Sequence, residues 1–222
     1  MTALQPNIVP IFATPFCVAE VPGAGTLNPA AAALLAERAT AERADPTHQQ
    51  ALSYRSRDDL LEWAEEPVRR LSGAMVAAVA GVARAINDFS DEQFAALRVQ
   101  ARGWYTIVRS DGCVPSHSHS NAAWCAIYCV AAPPAASPRF DSGVVRLHES
   151  YRATMFTDAT NSVAQLPYRP GHITWRPVPG EVVVFPASVT HEIALLRGSG
   201  ELVLMSALVR FLAPGQTGMP SW

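Results

Sequence analysis

From Gln100 onward the chain breaks into short apolar runs separated by Pro- and Gly-rich turns, and this constrains its fold more than any other feature. The runs are Gln100–Val108, Trp124–Val130, Gly143–His148, Ile173–Arg176, Glu181–Phe185, His191–Leu196 and Leu202–Phe211. Between them lie turn signals such as Ala132-Pro133-Pro134 and Pro170-Gly171. Many short β-branched and aromatic strands with such punctuation predict an all-β barrel or jelly roll.

The first 100 residues read differently. After an extended opening at Ile8–Phe16, Asn28-Pro29 has the form of an N-cap followed by proline at the first helical position, leading a helix over Ala30–Ala44. A second helix is expected over Arg57–Glu66. A third starts at Pro67, with Val68, Leu71, Met75, Val79, Val82 and Ile86 at helical spacing. Ser90-Asp91-Glu92-Gln93 has capping-box form and opens a short helix to about Val99. Alone, these helices have too little core. The expectation is a single α+β domain over 1–222, with 1–100 as a helical covering segment packed on one face of a β core at 101–213.

Composition removes several function classes. A net charge of −2 gives no electrostatic case for nucleic acid. The longest apolar stretches, Ala74–Ala83 and Trp124–Ala132, fall short of a bilayer span, and the N-terminus lacks the basic and apolar regions of a signal peptide. The expectation is a soluble, cytoplasmic protein without a membrane partner. All 17 basic residues are arginine, which excludes Schiff-base chemistry, pyridoxal phosphate attachment and a Walker A lysine. The four cysteines form no C-x-x-C; Cys125 and Cys129 read as core residues, and Cys113 as a loop thiol.

Of the six histidines, three fall in two strand-flanked segments: His117-Ser118-His119, and His191 in Phe185-Pro186-Ala187-Ser188-Val189-Thr190-His191. Side chains two apart on an extended strand point the same way, so His117 and His119 can face one ion together. His191 would join them from a second strand end once the sheet rolls up. Imidazole nitrogens suit Fe, Zn, Cu or Ni, and three facial ligands leave positions open for other groups. The alternative is three structural histidines. Metal affinity is expected to fall as pH drops through about 6.5, the ordinary histidine value. No side chain is singled out as a catalytic acid, base or nucleophile.

The order of these pieces resembles a family. Trp104, Gly112, His117-Ser-His119, the strand Trp124–Val130, Gly143–Arg152, Pro179-Gly180, Val182–Phe185, Phe185-Pro186 and His191 follow the pattern of the bacterial and phage 2-oxoglutarate- and Fe(II)-dependent oxygenases of the H-x-H…F-P-x-x-x-x-H type. Ile11-Phe12-Ala13-Thr14-Pro15-Phe16 also resembles their N-terminal region, and the Gly180–Pro186–His191 spacing is similar to that of cupins. The resemblance implies a double-stranded β-helix, a jelly-roll or cupin-like barrel, holding Fe(II) on His117, His119 and His191. It further implies use of 2-oxoglutarate and O2 to oxidise, by hydroxylation, a small-molecule or peptidyl substrate. Nothing in the sequence selects the substrate or the oligomeric state.

Two departures accompany it. The wider superfamily has a carboxylate where His119 stands, leaving Glu149 and Glu192 as nearby acids to consider as ligands. It also places an arginine about ten residues after the distal histidine to hold the far carboxylate of 2-oxoglutarate. Glu201 and Leu202 occupy that region, and Glu201 would repel the carboxylate. Arg210, Arg197 and Arg146 are the candidate replacements, in that order. Two other readings stay open: a cupin-like metalloenzyme with a three-histidine site that does not use 2-oxoglutarate, and a non-catalytic metal-binding module.

Overall fold

A computed structural model describes residues 13–48, 50, 52–134, 141–148 and 171–216. Among the described residues, ten strands form two antiparallel sheets. The larger has the order β1-β8-β5-β10-β3-β2, made of Cys17–Glu20 (β1), Glu181–Pro186 (β8), Trp124–Ala131 (β5), Leu202–Leu212 (β10), Arg98–Val108 (β3) and Ser53–Arg55 (β2). The smaller has the order β4-β9-β6-β7, made of Val114–His117, Thr190–Ile193, Val145–His148 and His172–Trp175.

Strand alternation sorts the core into two layers. Inward residues of the larger sheet (Trp104, Val108, Cys125, Ile127, Val183, Phe185, Leu204, Leu208) meet Val145, Leu147, Trp175 and Ile193 of the smaller one inside the barrel. The opposite face (Tyr105, Tyr128, Val184, Met205, Val209) packs against Leu35 of α1 (Ala24–Glu37) and Val68, Leu71, Met75 and Val79 of α2 (Glu66–Ala85). The larger sheet is therefore buried on both faces, which is why β5 and β10 are nearly continuous apolar runs. Among the described residues no helix is long and apolar enough to cross a membrane.

The N-terminal half departs from its expected helices. Helix α1 starts at Ala24 after Gly23 (φ 77°) and carries Pro29 inside it. Asn28 does not cap; it is buried and accepts a 2.6 Å hydrogen bond from the Tyr128 hydroxyl. The helix ends at Glu37, not Ala44, and Arg57–Glu66 holds only a 3-10 turn at Leu60–Glu62. Residues 53–59 are instead bound to β3: Ser56 N–H donates to the Tyr105 carbonyl (2.9 Å), Tyr105 N–H donates to Ser56 Oγ (3.0 Å), and Asp59 bridges to Gly103. Tertiary hydrogen bonds override local helix preference there. So the segment expected to be a helical cover adds two strands, β1 and β2, to the sheet. Helix α3 (Asp91–Ala95) has the expected capping box at Ser90 and Gln93. Residues 8–12 and 149–152 lie outside the described residues.

Candidate metal centre

The two histidine segments meet at one end of the barrel. β4 ends on His117, which is the direct partner of His191 on β9. His119 lies two residues past the strand end, where its N–H donates to the Ala187 carbonyl at 2.8 Å. One ring nitrogen from each of His117, His119 and His191 lies within 4.8 Å of the others. Ring centroids are 5.0 Å apart for 117–119, 4.4 Å for 117–191 and 5.4 Å for 119–191.

The hydrogen bonds decide which nitrogens are available. His117 Nδ1 donates to the Pro115 carbonyl (2.8 Å) and His191 Nδ1 to the Val189 carbonyl (2.9 Å). A carbonyl oxygen only accepts, so the proton sits on Nδ1 and each Nε2 keeps its lone pair. His119 Nε2 is buried with no hydrogen-bond partner among the described residues. Burial holds His119 down to about 3, with the neighbouring His191, His117, Arg55 and Arg102 charges adding to it. Burial likewise brings His191 down to about 4, helped by His117. Both are neutral imidazoles at pH 7, the form that ligates a divalent ion. The donor set fits a metal of the Fe, Zn, Cu or Ni kind.

Glu192 does not join the cluster. It alternates with His191 and Ile193 and stands on the outer face of the smaller sheet, where it accepts from Arg146 at 2.8 Å. Glu149 lies outside the described residues.

The three arginines separate. Arg146 stands between inward Val145 and Leu147 and so points outward, bound to Glu192 and to Asp141 (3.2 Å). Arg197 is exposed in the β9–β10 connection. Neither reaches the histidines. Arg210 is buried (2% exposed) and shares the inward face of β10 with Leu204 and Leu208, while Phe211 packs toward the helices. Its neighbour Val209 pairs with Trp124, the first residue of β5 and close in sequence to His119, so Arg210 lies at the histidine end of the barrel. The expected repulsion by Glu201 is also absent. Leu202 takes the inward position, and Glu201 turns outward to accept from Arg109 Nε at 3.1 Å.

The sequence reading missed two cationic neighbours. Arg102 is on the inward face of β3, bound to Asp58 at 2.9 Å. Arg55, from β2, lies with its guanidinium carbon 4.2 Å from the centroid of the Trp104 ring. Trp104 in turn contacts the His119 ring at 5.3 Å. For Arg102, alternation with Ala101 and Gly103 in β3 was the available signal. For Arg55 there was none.

Residues 102–206, the barrel with its histidine segments, match the profile of the family described as "Putative 2OG-Fe(II) oxygenase". Over those residues the chain is similar to the 2OG-Fe(II) oxygenases. Solved structures share the oxygenase fold. A prolyl-4-hydroxylase from Pseudomonas putida superposes with a TM-score of 0.55 at 17% identity, covering 88% of this chain and 91% of that one. AviO1 from Streptomyces viridochromogenes Tue57 gives 0.52 at 17% identity, covering 94% of both chains. HygX from Streptomyces hygroscopicus, solved with nickel and 2-oxoglutarate bound, gives 0.54 at 16%, covering 89% and 83%. No curated protein sequence matches the chain.

Proposed function

We propose that this oxygenase binds Fe(II) through Nε2 of His117, His119 and His191, takes 2-oxoglutarate as cosubstrate, and hydroxylates a small-molecule or peptidyl substrate. One observation carries the reading: three histidine nitrogens converge within 4.8 Å, with two rings oriented by Nδ1 donation and the third presenting an orphaned Nε2. When bound, the iron and 2-oxoglutarate supply the oxidising chemistry; the chain supplies geometry and exclusion of water. Three neutral ligands leave the divalent charge uncompensated, which favours a dianionic cosubstrate. Arg210 is the residue proposed to hold its far carboxylate, being a buried guanidinium on the inward face at the histidine end. Fold likeness to HygX, which binds nickel and 2-oxoglutarate, supports the same pairing of metal and cosubstrate.

The test is calorimetric titration of 2-oxoglutarate into anaerobic, Fe(II)-loaded protein, followed by succinate measurement on exposure to O2. One equivalent bound only when iron is present, with succinate formed, supports the reading. Metal binding without any 2-oxoglutarate binding would favour the three-histidine, cupin-like metalloenzyme.

A further inference from the structure

The three histidines are not held alike. His117 and His191 each have a ring fixed by an Nδ1–H bond to the carbonyl two residues earlier. No hydrogen bond joins the His119 ring to a described residue, its Nε2 being buried without a partner among them, and the rings packed on it there are Trp104, His117 and His191. An imidazole without a hydrogen-bonded second nitrogen depends on packing for its rotamer. Among the described residues, Trp104 is the ring on His119 that lies outside the cluster.

Trp104 is itself held by a charged arm from the N-terminal segment. β2 pairs with β3 so that Arg55 stands opposite Thr106, on the same face as Trp104 and one step along. The Arg55 guanidinium lies on the indole and is gripped by two carboxylates, Asp45 and Asp58 Oδ1 (2.6 Å to the latter). Asp58 Oδ2 also accepts from Arg102 at 2.9 Å. A planar guanidinium can stack on an indole and fork to two carboxylates at once; an ammonium cannot.

We propose that Arg55 is a positioning residue of the metal centre: locked by Asp45 and Asp58, it presses Trp104 against His119 and sets the direction of the His119 ligand nitrogen. This rests on the three-histidine metal reading. It gives the β2 arm a role beyond covering the sheet, since among the described residues no hydrogen bond fixes the His119 ring and Trp104 packs on it.

The experiment titrates Co(II) alone into the metal-free, full-length protein and records affinity and the absorption bands of bound Co(II). Thermal unfolding of the metal-free forms runs in parallel. Arg55→Met is expected to weaken Co(II) binding roughly ten- to a hundredfold, the usual effect of losing an outer-sphere partner of a ligand, and to shift the Co(II) bands. Arg55→Lys is expected not to restore either, and Trp104→Phe to fall between wild type and Arg55→Met. Should Arg55→Met fail to fold, Asp45→Asn, which loosens one of the two grips, is expected to shift the bands in the same direction. A folded Arg55→Met or Asp45→Asn protein with wild-type bands and affinity within about twofold overturns the proposal, because a purely structural role changes only the unfolding midpoint. His119→Ala separates the two ideas. If it binds Co(II) like wild type, the metal reading fails; if it loses binding while Arg55→Met does not, only the positioning role fails.

Discussion

His117 and His191 face each other as direct partners across β4 and β9, with ring centroids 4.4 Å apart and each Nδ1 tied to the carbonyl two residues before it. The pairing places two histidines remote in sequence on one side of one strand pair, both with Nε2 available. The larger sheet contributes only neighbours: Trp104 and Phe185, the latter 5.0 Å from the His191 ring.

Single substitution of His117, His119 or His191 by alanine is expected to abolish binding of one equivalent of divalent metal. His48→Ala, His148→Ala and His172→Ala are expected to keep it. His148 is a clean control because it stands on the outer face beside Glu192, with Leu147 taking the inward position. Metal analysis of the purified variants decides; full stoichiometry in the His191 variant would remove the proposed centre.

Acid should destabilise the metal-free protein well above the carboxylate range. His119 and His191 are held down to about 3 and about 4, below the ordinary value near 6.5. Between pH 6.5 and 5 the unfolded chain therefore binds protons that the folded chain refuses, and stability falls as pH falls. Each such proton is worth up to roughly 1.4 kcal/mol per pH unit. Urea midpoints measured at pH 7, 6 and 5 should drop, and a His119→Gln/His191→Gln protein should show a flatter profile. The expected loss of metal affinity through pH 6.5 is revised for these two ligands, since their protons compete only near pH 4 and below.

Arg210→Met is expected to raise the dissociation constant for 2-oxoglutarate at least tenfold, about the 1.4 kcal/mol of a lost charged contact, with Fe(II) binding kept. Arg146→Met and Arg197→Met should leave it unchanged, because those side chains point away from the histidines. Anaerobic calorimetry of the three variants is the check. An unaltered constant for Arg210→Met would move the carboxylate site elsewhere.

Tyr128→Phe should cost about 1–3 kcal/mol of stability. It removes the hydroxyl that donates to buried Asn28 Oδ1 at 2.6 Å and leaves that oxygen without its donor. Burial pushes the Tyr128 hydroxyl up to about 12, so the loss should be the same from pH 6 to 9. Denaturant unfolding measures it, and Fe(II) affinity should not change.

Much of this molecule is written locally. The Val68–Val79 stripe encodes α2, the capping box at Ser90 opens α3, and the apolar runs at 124–131 and 202–212 mark the two strands buried on both faces. The H-x-H and the Pro186–His191 segment named all three histidines that the structure gathers. Even the outward direction of Arg146 was carried by its alternation with Val145 and Leu147. These signals are legible because hydrophobic periodicity reports which face of an element is buried, and that is a local property.

Only the tertiary structure decided the rest. β10 is apolar on both faces, so its sequence could not say which one Arg210 or Glu201 takes; the register with β3 and β5 did. β2 and β4 are too short to show a period, and they exist because distant strands offer them hydrogen bonds. The same pairing turned an expected helix at 57–66 into an arm along β3 and laid Arg55 on Trp104. Strand pairing joins residues far apart in the chain, and neither partner's own neighbourhood records the register that brings them together.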